Sequence, residues 1–356
     1  MKNNILVIGF FVLLLNTGTI CFAQSMPKTY SEYTSGKLEY GLFVPENYNP
    51  SKSYPLVMFL HGWSNNNTVY LDFYNKDIQL KNPCFVYTPK TPTDWGDWSG
   101  WSWDGNGFSG LSIPTQTAVH VLDSLISKYS IDTNRLYVYG ISMGGEGVFD
   151  LLHKMPNKFA AGISICGGGF AHWANNISST PLWMFHGSAD EINPPDLTER
   201  VFNKLLEIGA TKMRYTNYPG YGHSIWDKAQ SEPSFYDWMF AFTKNKTEYT
   251  PPKGKINLSG TVSDKIHLQW NDIRNESTIS DKIWYYNVFN SNGLIATVEY
   301  DNTTFSFTPE NSIDTFKIQA VNYCFKKSEF SNLLYFNNGK ILTSVPKVIE
   351  KKKFGF

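Results

Sequence analysis

The sequence predicts two successive folds, an α/β domain with a mostly parallel sheet and then an all-β sandwich. Before residue 247, short apolar segments are interspersed with helical patterns, which is typical of a chain in which strands and helices alternate. After residue 254, only strand-like alternation occurs. The stretch 247–254 separates the two rhythms, and its two prolines and one glycine predict a linker.

Composition and charge agree with a globular chain and exclude several partners. The 356 residues suggest about two domains, and the 42% hydrophobic content supports a packed core. Lys plus Arg equals Asp plus Glu, at 31 each, so no net field favours nucleic acid or an anionic membrane. The scattered cysteines after residue 23 predict no disulfide framework: Cys84, Cys166 and Cys324. No clustered His/Cys ligand set is visible, so we expect no metal and no other cofactor.

Residues 1–23 are predicted to be a signal peptide. Lys2 supplies a positive start, Ile5–Leu15 is an apolar run, and Ala23 is a small residue suited to cleavage. An uncleaved anchor is the alternative, although the run is short for a bilayer. A lipid anchor on Cys21 is disfavoured by the bulky residue before it. We therefore expect a secreted or periplasmic protein with no stable membrane span once the signal is removed.

The α/β domain is predicted over residues 24–246. An opening antiparallel strand is expected at 38–48, and further strands are expected at 56–60, 85–87, 136–138, 161–165, 182–185 and 213–218. Helices are expected from Pro114 onwards and near 145–155, 195–208 and 234–243. The run 56–60 is apolar throughout, as in a strand that is covered on both faces.

A candidate nucleophile lies between a strand and a helix. Residues 135–145 give a strand, then Gly140-x-Ser142-x-Gly144, then a helical pattern. Glycines at these positions allow a sharp turn that lifts a serine hydroxyl above the sheet. A lone Gly-x-Ser-x-Gly is weak, because about 0.2 such motifs are expected by chance in a chain of this composition. Its strand-turn-helix context favours Ser142 as a nucleophile over a structural turn.

A candidate acid and base follow Ser142 in the chain order of an α/β-hydrolase triad. Asp190 comes after the strand at 182–185, and His223 follows the strand at 213–218, so both lie at carboxyl ends of strands. Asp196 and Glu191 remain alternatives for the acid. The other strand-ending histidines, His61 and His186, stand beside glycines and are interpreted as structural.

An oxyanion hole is predicted from two backbone N–H groups. The residue after the nucleophile, Met143, should give one donor, and the turn after the strand at 56–60, at Trp63, should give the other. The alternative is that His61-Gly62 is simply a strand-ending turn. Two such donors would stabilise the negative oxygen of a tetrahedral intermediate.

These motifs carry a resemblance to a known family. Segments 57–62, 140–145, 186–190 and 221–226 resemble the secreted α/β-hydrolases of carbohydrate esterase family 1. That group includes feruloyl and acetylxylan esterases, polyester depolymerases and predicted peptidases, and the similarity covers roughly 37–243. It implies an α/β-hydrolase fold and a triad carried onto Ser142, Asp190 and His223. The shared motifs do not choose the substrate.

The second domain is similar to fibronectin type III modules over 255–338. Ile266-x-Leu268-x-Trp270 alternates strictly, as a half-buried strand does. The family usually has a tyrosine where Asp314 stands, so this corner must be built differently. Residues 339–356 are predicted to be a flexible tail. Few contacts are expected across the linker, so residues 24–246 should fold and act alone, with the sandwich as a spacer or a binding module.

An aromatic cluster gives the only substrate signal. Trp95, Trp98, Trp101 and Trp103 follow the strand at 85–87, on the catalytic edge. They suit either a wall for a sugar or aryl group or a packed lid. The leading hypothesis is a secreted serine esterase that removes acetyl or feruloyl groups from polysaccharide or cleaves small esters. The rivals are a peptidase or polyester depolymerase with the same triad, and a carbohydrate-binding protein on an inactive hydrolase fold.

Overall fold

The computed structural model describes residues 30–35, 38–63, 72–91, 111–246, 248–273 and 278–342. The predicted signal peptide and the four clustered tryptophans lie outside these ranges. The helices are α1 (Lys76–Lys81), α2 (Ile113–Lys128), α3 (Met143–Lys154), α4 (Ala174–Ile177), α5 (Asp196–Glu207), α6 (Trp226–Gln230) and α7 (Phe235–Phe240). No helix within the described ranges is both long and apolar enough to cross a bilayer.

The strands of the first part form one eight-stranded sheet. They are β1 (Tyr30–Ser35), β2 (Leu38–Phe43), β3 (Tyr54–Leu60), β4 (Phe85–Lys90), β5 (Ile131–Ile141), β6 (Ala161–Ile165), β7 (Leu182–Gly187) and β8 (Met213–Tyr218). The strand order is β1-β2-β4-β3-β5-β6-β7-β8. β1 and β2 are antiparallel, whereas β3 to β8 are all parallel, which confirms the predicted α/β class.

Each face of the sheet is covered by a different layer. Side chains of α2, α3, α4 and α5 pack on one face. The other face is covered by α6, α7 and residues of the all-β part, including Trp284 and Tyr323. Parallel strands that are covered on both faces are apolar throughout, and β3 and β7 are fully buried along their lengths.

The C-terminal part consists of two antiparallel sheets. Its strands are β9 (Leu258–Val262), β10 (Ile266–Trp270), β11 (Ile283–Asn290), β12 (Gly293–Glu299), β13 (Thr304–Phe307), β14 (Ile313–Asn322), β15 (Leu334–Asn337) and β16 (Lys340–Leu342). One sheet has the order β13-β10-β9, and the other has the order β12-β11-β14-β15-β16. The inward-facing side chains of both sheets share one apolar cluster. The prediction of a flexible tail from residue 339 is wrong for residues 340–342, because they pair with β15.

Asp314 stands where fibronectin type III modules usually have a tyrosine, and it bonds to the turn between β11 and β12. Its Oδ1 accepts backbone N–H groups from Ser291 at 2.9 Å and Thr315 at 2.7 Å. Burial would raise the pKa of this carboxyl, but these hydrogen bonds outweigh it and hold the pKa below its ordinary value. A charged side chain therefore fixes the turn between β11 and β12.

The expectation that few contacts cross the linker is wrong. Trp284 of β11 is fully buried, and its ring lies 4.7 Å from that of Trp183 and 5.6 Å from that of Trp238. The guanidinium of Arg214 lies 4.5 Å from the Trp284 ring centroid and is ion-paired with Glu299. This interface could not be predicted from the sequence, because the residues that form it are more than 40 positions apart.

Candidate active site

Ser142 lies on a strained turn between β5 and α3. Its φ is 54° and its ψ is −123°, a conformation that costs free energy in a residue with a side chain. A Cβ on Gly140 would lie 2.1 Å from the carbonyl oxygen of Gly144, and a Cβ on Gly144 would lie 2.0 Å from that of Leu60. Both motif glycines are therefore required by close backbone approach, as the sequence predicted.

His223 and Asp190 lie in line with this serine. His223 Nε2 is 2.8 Å from Ser142 Oγ, and His223 Nδ1 is 2.7 Å from Asp190 Oδ2. Of the three acids that the sequence allowed, Asp190 is buried and bonded to His223, whereas Glu191 and Asp196 are exposed. The structure thus brings together three side chains that are separated by up to 81 residues.

The carboxylate of Asp190 is held by its own loop. Its Oδ1 accepts the backbone N–H groups of Ile192 at 3.0 Å and Asn193 at 2.9 Å. Burial would raise the pKa of this carboxyl, but the hydrogen bonds from His223, Asn193 and Ile192 outweigh it and hold the pKa below its ordinary value. Asp190 is therefore an anion directed at one nitrogen of His223.

Asn193 joins the acid loop to the helix that follows the serine. Its side-chain amide donates to Glu146 Oε1 at 3.0 Å and to the carbonyl oxygen of Cys166 at 2.9 Å. Glu146 lies in the first turn of α3 and is buried. The thiol of Cys166 donates to the carbonyl oxygen of His223 at 3.1 Å. The sequence analysis missed these three residues, because their partners are too distant along the chain to leave a local pattern.

The two predicted oxyanion donors belong to two segments that meet at Ser142. Met143 is the first residue of α3, so its N–H has no acceptor within the helix. Trp63 is 55% exposed at the end of the described turn after β3. A Cβ on Gly62 would lie 3.5 Å from Ser142 Cβ, which puts this turn against the serine. His61 is structural, as interpreted: its Nδ1 donates to Gly62 O at 2.6 Å, and its Nε2 accepts from the N–H of Thr91 at 3.1 Å.

Within the described part of the chain, one group of possible metal ligands includes the acid of this site. The ligand atoms of Cys166, His186 and Asp190 lie within 4.8 Å of one another. The sequence analysis did not foresee this cluster. Each group has hydrogen-bond partners within the chain, and burial raises the pKa of the Cys166 thiol, so the thiol keeps its proton. The ligand atoms of these three side chains are therefore engaged by protein partners.

A comparison with known protein families shows to which family the chain belongs. A family model described as Phospholipase/Carboxylesterase matches residues 47–232, more than half of the chain. The chain belongs to this family. The match spans the serine, the acid and the histidine described above. It does not distinguish carbohydrate esterase family 1 from the rest of the α/β-hydrolases.

Individual relatives are more distant. The bifunctional acetylxylan esterase/xylanase XynS20E of Neocallimastix patriciarum is 27% identical over 153 residues, which cover 42% of this chain and 21% of that protein. Probable feruloyl esterase C of Aspergillus flavus is 25% identical over 195 residues, which cover 52% of this chain and 66% of that protein. The chain therefore spans less than two thirds of either relative. A solved thermostable esterase is 30% identical with a TM-score of 0.55, covering 60% of this chain and 62% of that one.

Proposed function

We propose that the chain is an exported serine ester hydrolase that removes acyl groups, acetyl or feruloyl, from polysaccharide. The observation that carries the proposal is the unbroken hydrogen-bonded series from Ser142 through His223 to Asp190. Membership of the phospholipase/carboxylesterase family and similarity to acetylxylan and feruloyl esterases support the ester and the substrate class. The predicted signal peptide supports export, and the two antiparallel sheets support a fibronectin type III-like C-terminal domain.

The proposed reaction has two halves. Ser142 Oγ attacks the ester carbonyl carbon while His223 Nε2 takes its proton, and Asp190 stabilises the resulting imidazolium. The N–H groups of Met143 and Trp63 stabilise the negative oxygen. The C–O bond to the alcohol then breaks, and His223 returns the proton to that alcohol. Water, deprotonated by His223, releases the acid and restores Ser142.

Replacement of the nucleophile tests the mechanism. Ser142→Ala should lower the hydrolysis of an aryl acetate at least about a thousandfold while the far-UV circular dichroism is unchanged. Ser178→Ala is the matched control, because that hydroxyl donates only to a neighbouring carbonyl in α4 and should leave the rate unchanged. If Ser142→Ala retains the rate of the unchanged chain, the proposed function is wrong.

A substrate panel tests the acyl class. Acetylated xylan, methyl ferulate, an aliphatic polyester and a peptide amide would be offered to the purified chain at equal concentrations. We expect the acetyl or feruloyl ester to be preferred by kcat/KM, and the amide to be cleaved slowest. A preference for the polyester or the amide would replace the proposed substrate with a different one while leaving the catalytic series in place.

A further inference from the structure

His186 is a buried titratable group that the proposed mechanism does not use. It is the penultimate residue of β7, has no exposed surface, and lies four residues before Asp190. Its Nε2 is 2.8 Å from the carbonyl oxygen of Asn193 and 3.2 Å from Asp190 Oδ2. Its Nδ1 is 2.9 Å from Thr198 Oγ1. Both nitrogens therefore have partners, and one of them faces the acid.

The partners determine which nitrogen carries the proton. The Asn193 carbonyl and the Asp190 carboxylate only accept hydrogen bonds, so His186 Nε2 must carry hydrogen. On the other side of the ring, Nδ1 lies 2.9 Å from Thr198 Oγ1, and that hydroxyl donates its one proton to the carbonyl oxygen of Gly167 at 2.8 Å. Burial lowers the pKa of His186, against the raising effect of the Asn193 carbonyl, and this favours the neutral ring. Because both partners on that side only accept, the Nε2–H of His186 is directed at the acid loop.

We propose that His186 is a positioning residue for Asp190, with its Nε2–H shared between the Asn193 carbonyl and the carboxylate. The bond to Asn193 O fixes the peptide chain whose N–H groups hold Asp190 Oδ1. The 3.2 Å contact places a second N–H beside Oδ2, the oxygen that accepts from His223. A carboxylate held at both oxygens keeps its charge and its direction towards His223.

The rate of ester hydrolysis by His186 variants tests this positioning role, which rests on the proposed function. His186→Leu fills a similar volume without a donor, and kcat on an aryl acetate should fall about ten- to a hundredfold with little change in KM. The acid limb of the rate profile should move to higher pH, because a carboxylate with fewer donors holds a proton on its partner more strongly. His186→Gln restores an N–H and should recover most of the rate. Thr198→Val removes the partner of Nδ1 and the donor to the Gly167 carbonyl but leaves Nε2 in place, so it is the control for the loss of buried hydrogen bonds beside this ring.

Nuclear magnetic resonance of ¹⁵N-histidine-labelled protein provides a readout that does not need activity. The nitrogen resonances of His186 should show that Nε2 carries hydrogen. The low-field ¹H resonance of the hydrogen bond between His223 and Asp190 should lose intensity in His186→Leu and keep it in His186→Gln. An Nδ1–H tautomer, or a Leu variant with an unchanged rate and acid limb, would overturn the proposal. If Ser142→Ala stays active while these resonances behave as expected, the proposed function fails and the positioning of Asp190 stands.

Discussion

Replacement of Trp284 is expected to destabilise the α/β part, although this tryptophan belongs to the sandwich. The side chain has no exposed surface and contacts the rings of Trp183, Trp238 and Phe325 at 4.7, 5.6 and 5.4 Å. Truncation of a buried tryptophan to alanine costs about 3–5 kcal/mol. Loss of the Arg214 cation–π contact adds about 1 kcal/mol. Because domains are stable by only about 5–15 kcal/mol, this is a large share of the total.

The assay is urea unfolding followed by two probes. Aryl acetate hydrolysis reports on the α/β part, and far-UV circular dichroism reports on the whole chain. In Trp284→Ala both midpoints should fall together, whereas Leu294→Ala, at a side chain that is 56% exposed, should change stability by less than about 0.5 kcal/mol. If Trp284→Ala loses activity at the same urea concentration as the unchanged chain, the two parts are independent and the reasoning is refuted.

Three further predictions concern local features. Gly144→Ala should give insoluble or unfolded protein, because its Cβ would meet a β3 carbonyl, whereas Gly222→Ala, with its nearest atom at 3.7 Å, should express normally. The free energy of unfolding should be greatest above about pH 6.5 and fall below it. Burial lowers the pKa of His61 and His186, so the unfolded chain binds protons at these residues more readily than the folded chain. A urea midpoint at pH 5.5 that equals the midpoint at higher pH would contradict this. Asp314→Ala should lower the thermal midpoint through loss of two N–H acceptors worth about 1–3 kcal/mol in total, and an unchanged midpoint would count against that role.

The parts of the site that the sequence predicted are those with local physical causes. Gly140 and Gly144 are dictated by close backbone contact around one turn, so a five-residue motif contains the necessary information. Asp190 and His223 follow consecutive strands of a parallel sheet, and the carboxyl ends of such strands meet at one edge. Chain order and strand ends were therefore enough to bring them together with Ser142.

The residues that hold the acid were not predictable in the same way. Asn193 contacts Glu146 across 47 positions and Cys166 across 27, and nothing in the local pattern of either segment marks them. His186 has partners on both ring nitrogens, in agreement with its interpretation as a histidine that is satisfied within the fold. The sequence could not give the direction of its Nε2–H, because that depends on how the loop after β7 folds back onto the strand.

The contact between the two parts shows why alternation along a strand is an incomplete guide. Tyr286 and Val288 point into the sandwich core, and strict alternation would place Trp284 there with them. The pairing of β11 with β14 shifts register between Ile283 and Tyr285, so Ile283 joins the sandwich core and Trp284 turns towards the α/β sheet. A bulge re-aims a side chain without changing residue type, and the sequence pattern does not reveal it. The tryptophan packs against Trp183 of β7, so the sandwich contributes to the core of its neighbour.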